Sequence, residues 1–421
     1  MQQTITNTSL TRLASTVFNF LIAMGISRYL GPKIKGDATI ILTTISFIVF
    51  FCSVIGGQSL VYLMPRFNAA KLVWPSYLWA FVVCTASFLV MSFFHLFTYK
   101  RCFNISLLSL LFSGVNIHAS VLLARQEISK YNWVYALPVL LTLCALVFFL
   151  YFGTNNSIYP YLYSLYIAYG ITLVISLWFC RHAIEAIDWH HVFHDIDESL
   201  KHGSSYQLLE LLQLLCFRLY FYLLYHLQGA YDLGLYSVGV SLAEFGWVFA
   251  RSVSTVHYAD FSNENGHAIK VRQTIRYIKF TAVVSGLILF LVAACPISVY
   301  GIVFGNKFMY VKYTVKWLLP GVWVYNAALV IQSYYLSRGQ YSKLIGAHIV
   351  GLFFLVSFCY ALIPTYYFSG ASLAASFSFF ITSAMLLMMF LYDSGSSLKQ
   401  FRWNREDTAV IRKILRISAS A

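Results

Sequence analysis

Leu344-Ile345-Gly346-Ala347-His348-Ile349-Val350-Gly351-Leu352-Phe353-Phe354-Leu355-Val356-Ser357-Phe358-Cys359-Tyr360-Ala361-Leu362-Ile363 runs for twenty residues without an Asp, Glu, Lys or Arg. Wound as an α-helix, such a run is about 30 Å long, the thickness of a bilayer's hydrocarbon core. Eleven more stretches qualify. By residue number they are 10–30, 40–60, 74–96, 107–124, 133–152 and 161–180, then 206–227, 235–257, 280–302, 317–336 and 371–392. The fourth is short, and Pro320-Gly321 is expected to interrupt the tenth. Whole-chain composition agrees: 59% of the 421 residues are hydrophobic and 10% are charged. A soluble domain averages roughly 25% charged. The fold class expected is an all-α integral membrane protein of about twelve spans.

The charges then orient the spans. With the amino terminus inside, nineteen Lys and Arg fall on the cytoplasmic side and eight opposite, while Arg218 and Arg251 lie within spans. By the positive-inside rule both termini are cytoplasmic. The net charge of +14 is thus spread between apolar runs, a membrane pattern that excludes nucleic acid as a partner. Residues 1–10 are polar and lack the basic region of a signal peptide, so the first apolar run is expected to stay as a span. Eight cysteines stand singly with no CxxC spacing, and act as small hydrophobes rather than disulfides or metal ligands.

Two cytoplasmic connections are sizeable, 181–203 and 258–276. The first holds His182, His190, His191, His194 and His202, and His190 and His194 have a spacing that ligates zinc on a helix. An interfacial linker with snorkelling histidines accounts for them without metal. The tail sets Val410, Ile411, Ile414 and Leu415 among Arg412, Lys413 and Arg416, an amphipathic pattern suited to an anionic inner leaflet.

Tyr29-Leu30-Gly31-Pro32-Lys33-Ile34-Lys35-Gly36 and Leu227-Gln228-Gly229-Ala230-Tyr231-Asp232-Leu233-Gly234 both close one span, turn through Gly-x4-Gly and open the next. They are offset by 198 residues, which overlays spans one and two on seven and eight. The chain therefore divides into a six-helix bundle over 1–195, a second over 196–392 and the basic tail 393–421. An even number of spans per half makes the halves parallel repeats. Two such bundles around a central cavity form an alternating-access transporter.

No GxxxxGK[ST], HExxH or GxSxG occurs, so neither ATP binding nor familiar hydrolytic chemistry is expected; the chain reads as no enzyme and needs no cofactor. The informative groups are ionisable residues inside spans, each costing roughly 2.5–3.5 kcal/mol at the bilayer centre unless it faces a cavity or partner. Glu210 and Arg218 are eight apart in span seven; Glu244 and Arg251 are seven apart in span eight. Both spacings return to one helical face. Two readings stay open: the helices neutralise each other as structural glue, or the arginines meet an anionic substrate and a glutamate carries a coupling proton. Arginine suits phosphate because its planar fork donates in pairs. His118 and His348 read as interhelical hydrogen-bonders.

Arg28-Tyr29-Leu30-Gly31-Pro32-Lys33-Ile34-Lys35-Gly36 resembles the R-x-L-G-P-x-x-x-G turn after the first helix of bacterial polysaccharide exporters. Phe217-Arg218-Leu219-Tyr220 with Gly234-Leu235-Tyr236-Ser237 resembles the R-x-D…vG-x-Y-S pattern of their seventh and eighth helices. The family is the Wzx-type O-antigen flippases, in the superfamily that includes MATE drug exporters and the lipid II flippase. The aspartate usual two residues after the arginine is Tyr220 here, and a proline common after the eighth helix is replaced by Tyr258-Ala259-Asp260-Phe261. The resemblance implies a cargo of oligosaccharide repeat units linked by diphosphate to undecaprenol, flipped to the periplasmic leaflet of the inner membrane. It implies membrane lipids and polysaccharide-assembly proteins as partners. Arg28, Arg218 and Arg251 are the substrate-binding candidates, and Glu210 and Glu244 the coupling candidates. A MATE-like exporter of cations is the second reading, and a membrane polysaccharide polymerase the third.

Overall fold

The structure, a computed structural model, describes residues 2–57, 60–61, 64, 69–153, 157–181, 192–262 and 267–402. Among these the secondary structure is helical. Ten stretches are long and apolar enough to cross a membrane, and two of them, Thr11–Gly56 and Tyr341–Ser394, hold 46 and 54 residues. At 1.5 Å per residue each would run to about twice the hydrocarbon thickness. Both break midway, so the ten stretches make twelve crossings. The chain is an all-α, multi-pass membrane protein.

The described residues form two compact units, one within Met1–Gln207 and Val303–Gly305, the other within Leu208–Ile302 and Asn306–Ala421. In the first, α1 (Gln2–Gly25) passes through a π-helical turn, Ile26–Leu30, into α2 (Gly31–Gly56). Gly31, at φ 83° and ψ 177°, makes the break. That backbone region is essentially closed to side chains, which is why the turn needs glycine. Four helices follow: α3 (Ala69–Phe93), α4 (Tyr99–Ala124), α5 (Ile128–Phe152) and α6 (Tyr159–Cys180). α4 is the inner helix, burying Ile105, Ser109, Ser113, His118 and Val121. α5 buries little beyond a period-four stripe of Val134, Pro138, Thr142 and Leu146 and turns Trp133, Val147, Phe148 and Phe152 outward, as a lipid-facing helix does.

The second unit holds α7 (Val192–Gln228) from Leu208 onward, α8 (Ala230–Ser262), α9 (His267–Ala294), short α10 (Ile297–Phe304) up to Ile302, α11 (Val311–Ser337) and α12 (Tyr341–Ser394). Its centre is α11, with 17 of 27 residues buried. α12 reverses at Tyr367 (φ 52°, ψ −134°) into two antiparallel halves. Pairs across the reversal are ordered symmetrically about it: Ser378 donates to the Gly351 carbonyl at 2.8 Å, and Lys343 meets Asp393 at 2.5 Å. The break frees the Ile363 carbonyl, which accepts from Gln228 Nε2 at 3.2 Å.

Contacts between helix ends show that crossings alternate within each unit. Asp37 at the head of α2 pairs with Arg101 at the head of α4, whose neighbour Lys100 lies over the Tyr159 ring at the head of α6. In the second unit Tyr335 and Lys343 share Asp393 at one end, while Gln228 and Ile363 meet at the other.

Three expectations are corrected. The fourth span is a full 26 residues, Tyr99–Ala124, because Lys100, Arg101 and Asn104 lie in its first two turns. The tenth is not interrupted: α11 continues through Pro320, and Gly321 N–H donates to Ser376 Oγ at 2.9 Å. The ninth lies further toward the amino terminus than 280–302. α9 begins at His267 and ends at Ala294, just before Pro296, so Lys270, Arg272, Arg276 and Lys279 sit on a helix and not in a 258–276 connection. His182, His190, His191 and the 403–421 part of the tail lie outside the described residues, and with them the zinc spacing and the amphipathic pattern.

Candidate functional site

Span seven presents Arg218 and span eight presents Glu244, and the structure brings them together: Arg218 Nη2 lies 3.2 Å from Glu244 Oε1. Neither is enclosed. Their side chains are 32% and 37% exposed, inside segments whose composition places them in the bilayer. A charge with open surface at that depth faces water, because lipid would not solvate it. The guanidinium carbon of Arg218 also stands 5.3 Å over the Phe221 ring one turn along α7. Two turns beyond Glu244 on α8, exposed Arg251 lies 5.5 Å over the Trp247 ring. Trp247 in turn meets Phe217 edge-on at 4.1 Å, and Phe217 touches Tyr325 and Phe379. An aromatic floor thus carries two arginines and one carboxylate on the α7–α8 face.

Glu210 stands apart from the pair, half-buried on α7 about 12 Å along the axis from Arg218. Arg28 is exposed on the π-helical turn of the first unit, a kind of turn that recurs at functional sites. Glu244 and Arg251, about 10 Å apart on one helix, make no bond to each other among the ion pairs of the described residues.

Beneath the face runs a hydrogen-bonded chain whose direction can be read donor by donor. Gln213 Nε2 donates to Gln332 Oε1 (3.2 Å), and Gln332 Nε2 donates to the Tyr325 hydroxyl (2.8 Å). The Tyr325 O–H then faces His348 Nε2 (3.2 Å), whose Nδ1–H is committed to the Leu344 carbonyl (2.8 Å). His348 is therefore a satisfied imidazole tying α12 to α11. His118 plays the same part in the first unit. Its Nε2 accepts from the Tyr77 hydroxyl, and its Nδ1–H donates to Ser176 Oγ at 2.6 Å, joining α3, α4 and α6.

Two features are missing from the sequence reading. The bidentate Asp37–Arg101 pair, at 3.2 and 3.3 Å, links residues 64 apart that the hydropathy pattern assigns to connections. Its signal is a lone acid opening an otherwise apolar run. Hydropathy puts His257 at the end of a span, yet it is buried between Ser333 (2.7 Å) and Thr274 (3.0 Å) on α11 and α9. Among the described residues no His/Cys/Asp/Glu group could hold a metal ion, and the cysteines are free thiols.

No family model and no curated protein matches the chain. Solved structures do. An inward-facing multidrug resistance MATE family transporter of the MOP superfamily superposes with a TM-score of 0.69 at 11% identity, over 92% of this chain and 98% of that one. The lipid II flippase MurJ, in an inward closed conformation, gives 0.69 at 13% identity over 94% and 88%. The MATE multidrug transporter DinF-BH gives 0.66 at 13% identity over 93% and 94%. Across nearly its whole length, this chain has the fold of those transporters.

Proposed function

We propose that the chain is a flippase that carries undecaprenyl-diphosphate-linked oligosaccharide repeat units from the cytoplasmic to the periplasmic leaflet of the bacterial inner membrane by alternating access. The observation that carries the reading is the open guanidinium of Arg218, with Arg251 beyond it on the same face, inside membrane-spanning helices. A diphosphate asks for paired, charge-assisted donors in a wet recess; a prenyl chain asks only for contact with lipid. Partly exposed Trp247 is the flat surface open to a sugar ring, backed by buried Phe217 and Tyr325. Glu210 and Glu244 are the coupling carboxylates, and Arg28 is the third substrate-binding arginine. The inside-negative potential assists export, at about 2.3 kcal/mol per charge per 100 mV.

The second reading is a MATE-like exporter of cations. It is favoured by the likeness to two multidrug transporters and by the presence of Glu244 on the same face as the arginines. One preparation tests both. The purified chain in proteoliposomes is given fluorescent undecaprenyl-diphosphate N-acetylglucosamine, and the fraction protected from an impermeant quencher is followed. A cationic dye is assayed in parallel. Flipping of the lipid without dye transport supports the first reading, and dye transport alone replaces it with the second.

A further inference from the structure

We infer that Glu244 is a built-in competitor for the anion site at Arg218, holding the guanidinium until a doubly charged phosphate group displaces it. This rests on the reading of Arg218 as an anion-binding residue. The pair is loosely made. One nitrogen meets one oxygen at 3.2 Å, whereas Arg101 meets Asp37 with both nitrogens. A guanidinium has five N–H donors, so most of the fork stays open to a ligand. The two partners come from different helices, α7 and α8, and both are about one-third exposed, so the carboxylate can turn into water at small cost. Arg218 does not depend on Glu244 for its position, because the Phe221 ring supports it from its own helix.

Charge decides which ligands win. Arg218, Arg251 and Glu244 sum to +1. A phosphate diester of charge −1 gains little over the resident carboxylate. A diphosphate diester of charge −2 binds two arginines with bidentate, charge-assisted bonds and outcompetes it. The bound state is then left at −1, with Glu244 displaced and available to re-pair. Glu244 thus rejects ordinary anionic lipids and keeps the diphosphate releasable. In a Glu244→Gln variant the site would be +2, the charge that neutralises the cargo and traps it.

The test measures binding and flipping by the full chain in nanodiscs and proteoliposomes respectively, with undecaprenyl-diphosphate N-acetylglucosamine as probe and phosphatidylglycerol as rival. Glu244→Gln should bind the probe about tenfold more tightly, equal to ~1.4 kcal/mol, lose discrimination against phosphatidylglycerol, and flip more slowly. Glu244→Asp, whose carboxylate is one methylene shorter, should fall between. A monodisperse glutamine variant that binds no more tightly than wild type overturns the inference. Should that variant fail to fold, the aspartate variant decides by the same criterion. Wild-type protein that binds no probe removes the anion-site reading itself, so the two failures are distinct.

Discussion

The ion pair between Asp37 and Arg101 fixes the heads of α2 and α4, and its strength can be worked from its geometry. Two parallel contacts of 3.2 and 3.3 Å make it bidentate, with the Asp37 side chain 12% exposed and Arg101 35%. At about 4 Å between charge centres and an effective dielectric near 20, the gross attraction is about 4 kcal/mol. Desolvation of the nearly buried carboxylate cancels much of this. Exposed pairs net about 0.2–1 kcal/mol, and truncating a buried pair costs about 3–5. Between those limits, a double-mutant cycle on Asp37→Asn and Arg101→Gln should give a coupling of about 1–2 kcal/mol. The single variants should be unequal. Arg101→Gln strips a nearly buried carboxylate of its bidentate partner, whereas Asp37→Asn leaves an arginine that can reach toward water, so the first should cost more. Equilibrium unfolding of the purified chain in detergent, followed by tryptophan fluorescence, reads all four corners of the cycle. A coupling below about 0.3 kcal/mol, or the reverse order of the single variants, would refute the reasoning.

Other outcomes follow from the same structure. Arg218→Ala should abolish flipping while the protein still inserts, and Arg218→Lys should restore only part, since the fork is lost; normal flipping by the alanine variant would remove Arg218 from the site. Gly31→Ala should destabilise by about 1–3 kcal/mol although an added Cβ meets nothing within 4 Å, because the cost is torsional; a variant as stable as wild type would contradict the φ of 83°. Gln228→Ala should cost about 1 kcal/mol by stranding the Ile363 carbonyl, with Gln228→Glu no better since the donor is gone; unchanged unfolding of the alanine variant would count against that bond. Reporter fusions after Gly203 and Ser394 should show cytoplasmic activity, and periplasmic activity at either would break the twelve-span topology.

Helix existence was legible because bilayer thickness imposes a length on every apolar run, so residues such as 344–363 could hardly be read otherwise. Helix ends were less so. Hydropathy averages over a window, and it carried span nine across Pro296 while overlooking that Lys270, Arg272 and Arg276 begin a helix. Arg218 and Glu244 stood out individually as charges among apolar neighbours. Their pairing did not, since the rotation of α7 against α8 is set by packing such as Phe217 on Trp247 rather than by either helix alone. The chain from Gln213 to His348 was invisible for another reason: glutamine and tyrosine are ordinary in membrane helices until their partners are known. Asp37 and Arg101 each looked like a connector residue, and only the fold brings positions 64 apart into contact.

The reversal at Tyr367 has a mechanical consequence. Most helical hairpins are joined by a few loop residues, whose slack lets one arm slide or rotate several ångströms past the other. Here the slack is gone. The backbone at Gly370 comes so near the Leu362 carbonyl that an added Cβ would stand 2.2 Å from it, and Gln228 grips the adjoining Ile363 carbonyl from the α7–α8 corner. The two arms of α12 are therefore clamped at their apex, so a displacement of 341–366 is expected to carry 368–394 with it. An epitope or protease site spliced in at 364–370 would uncouple the arms, while the same insertion at 395–397, past the end of the helix, would leave the clamp whole.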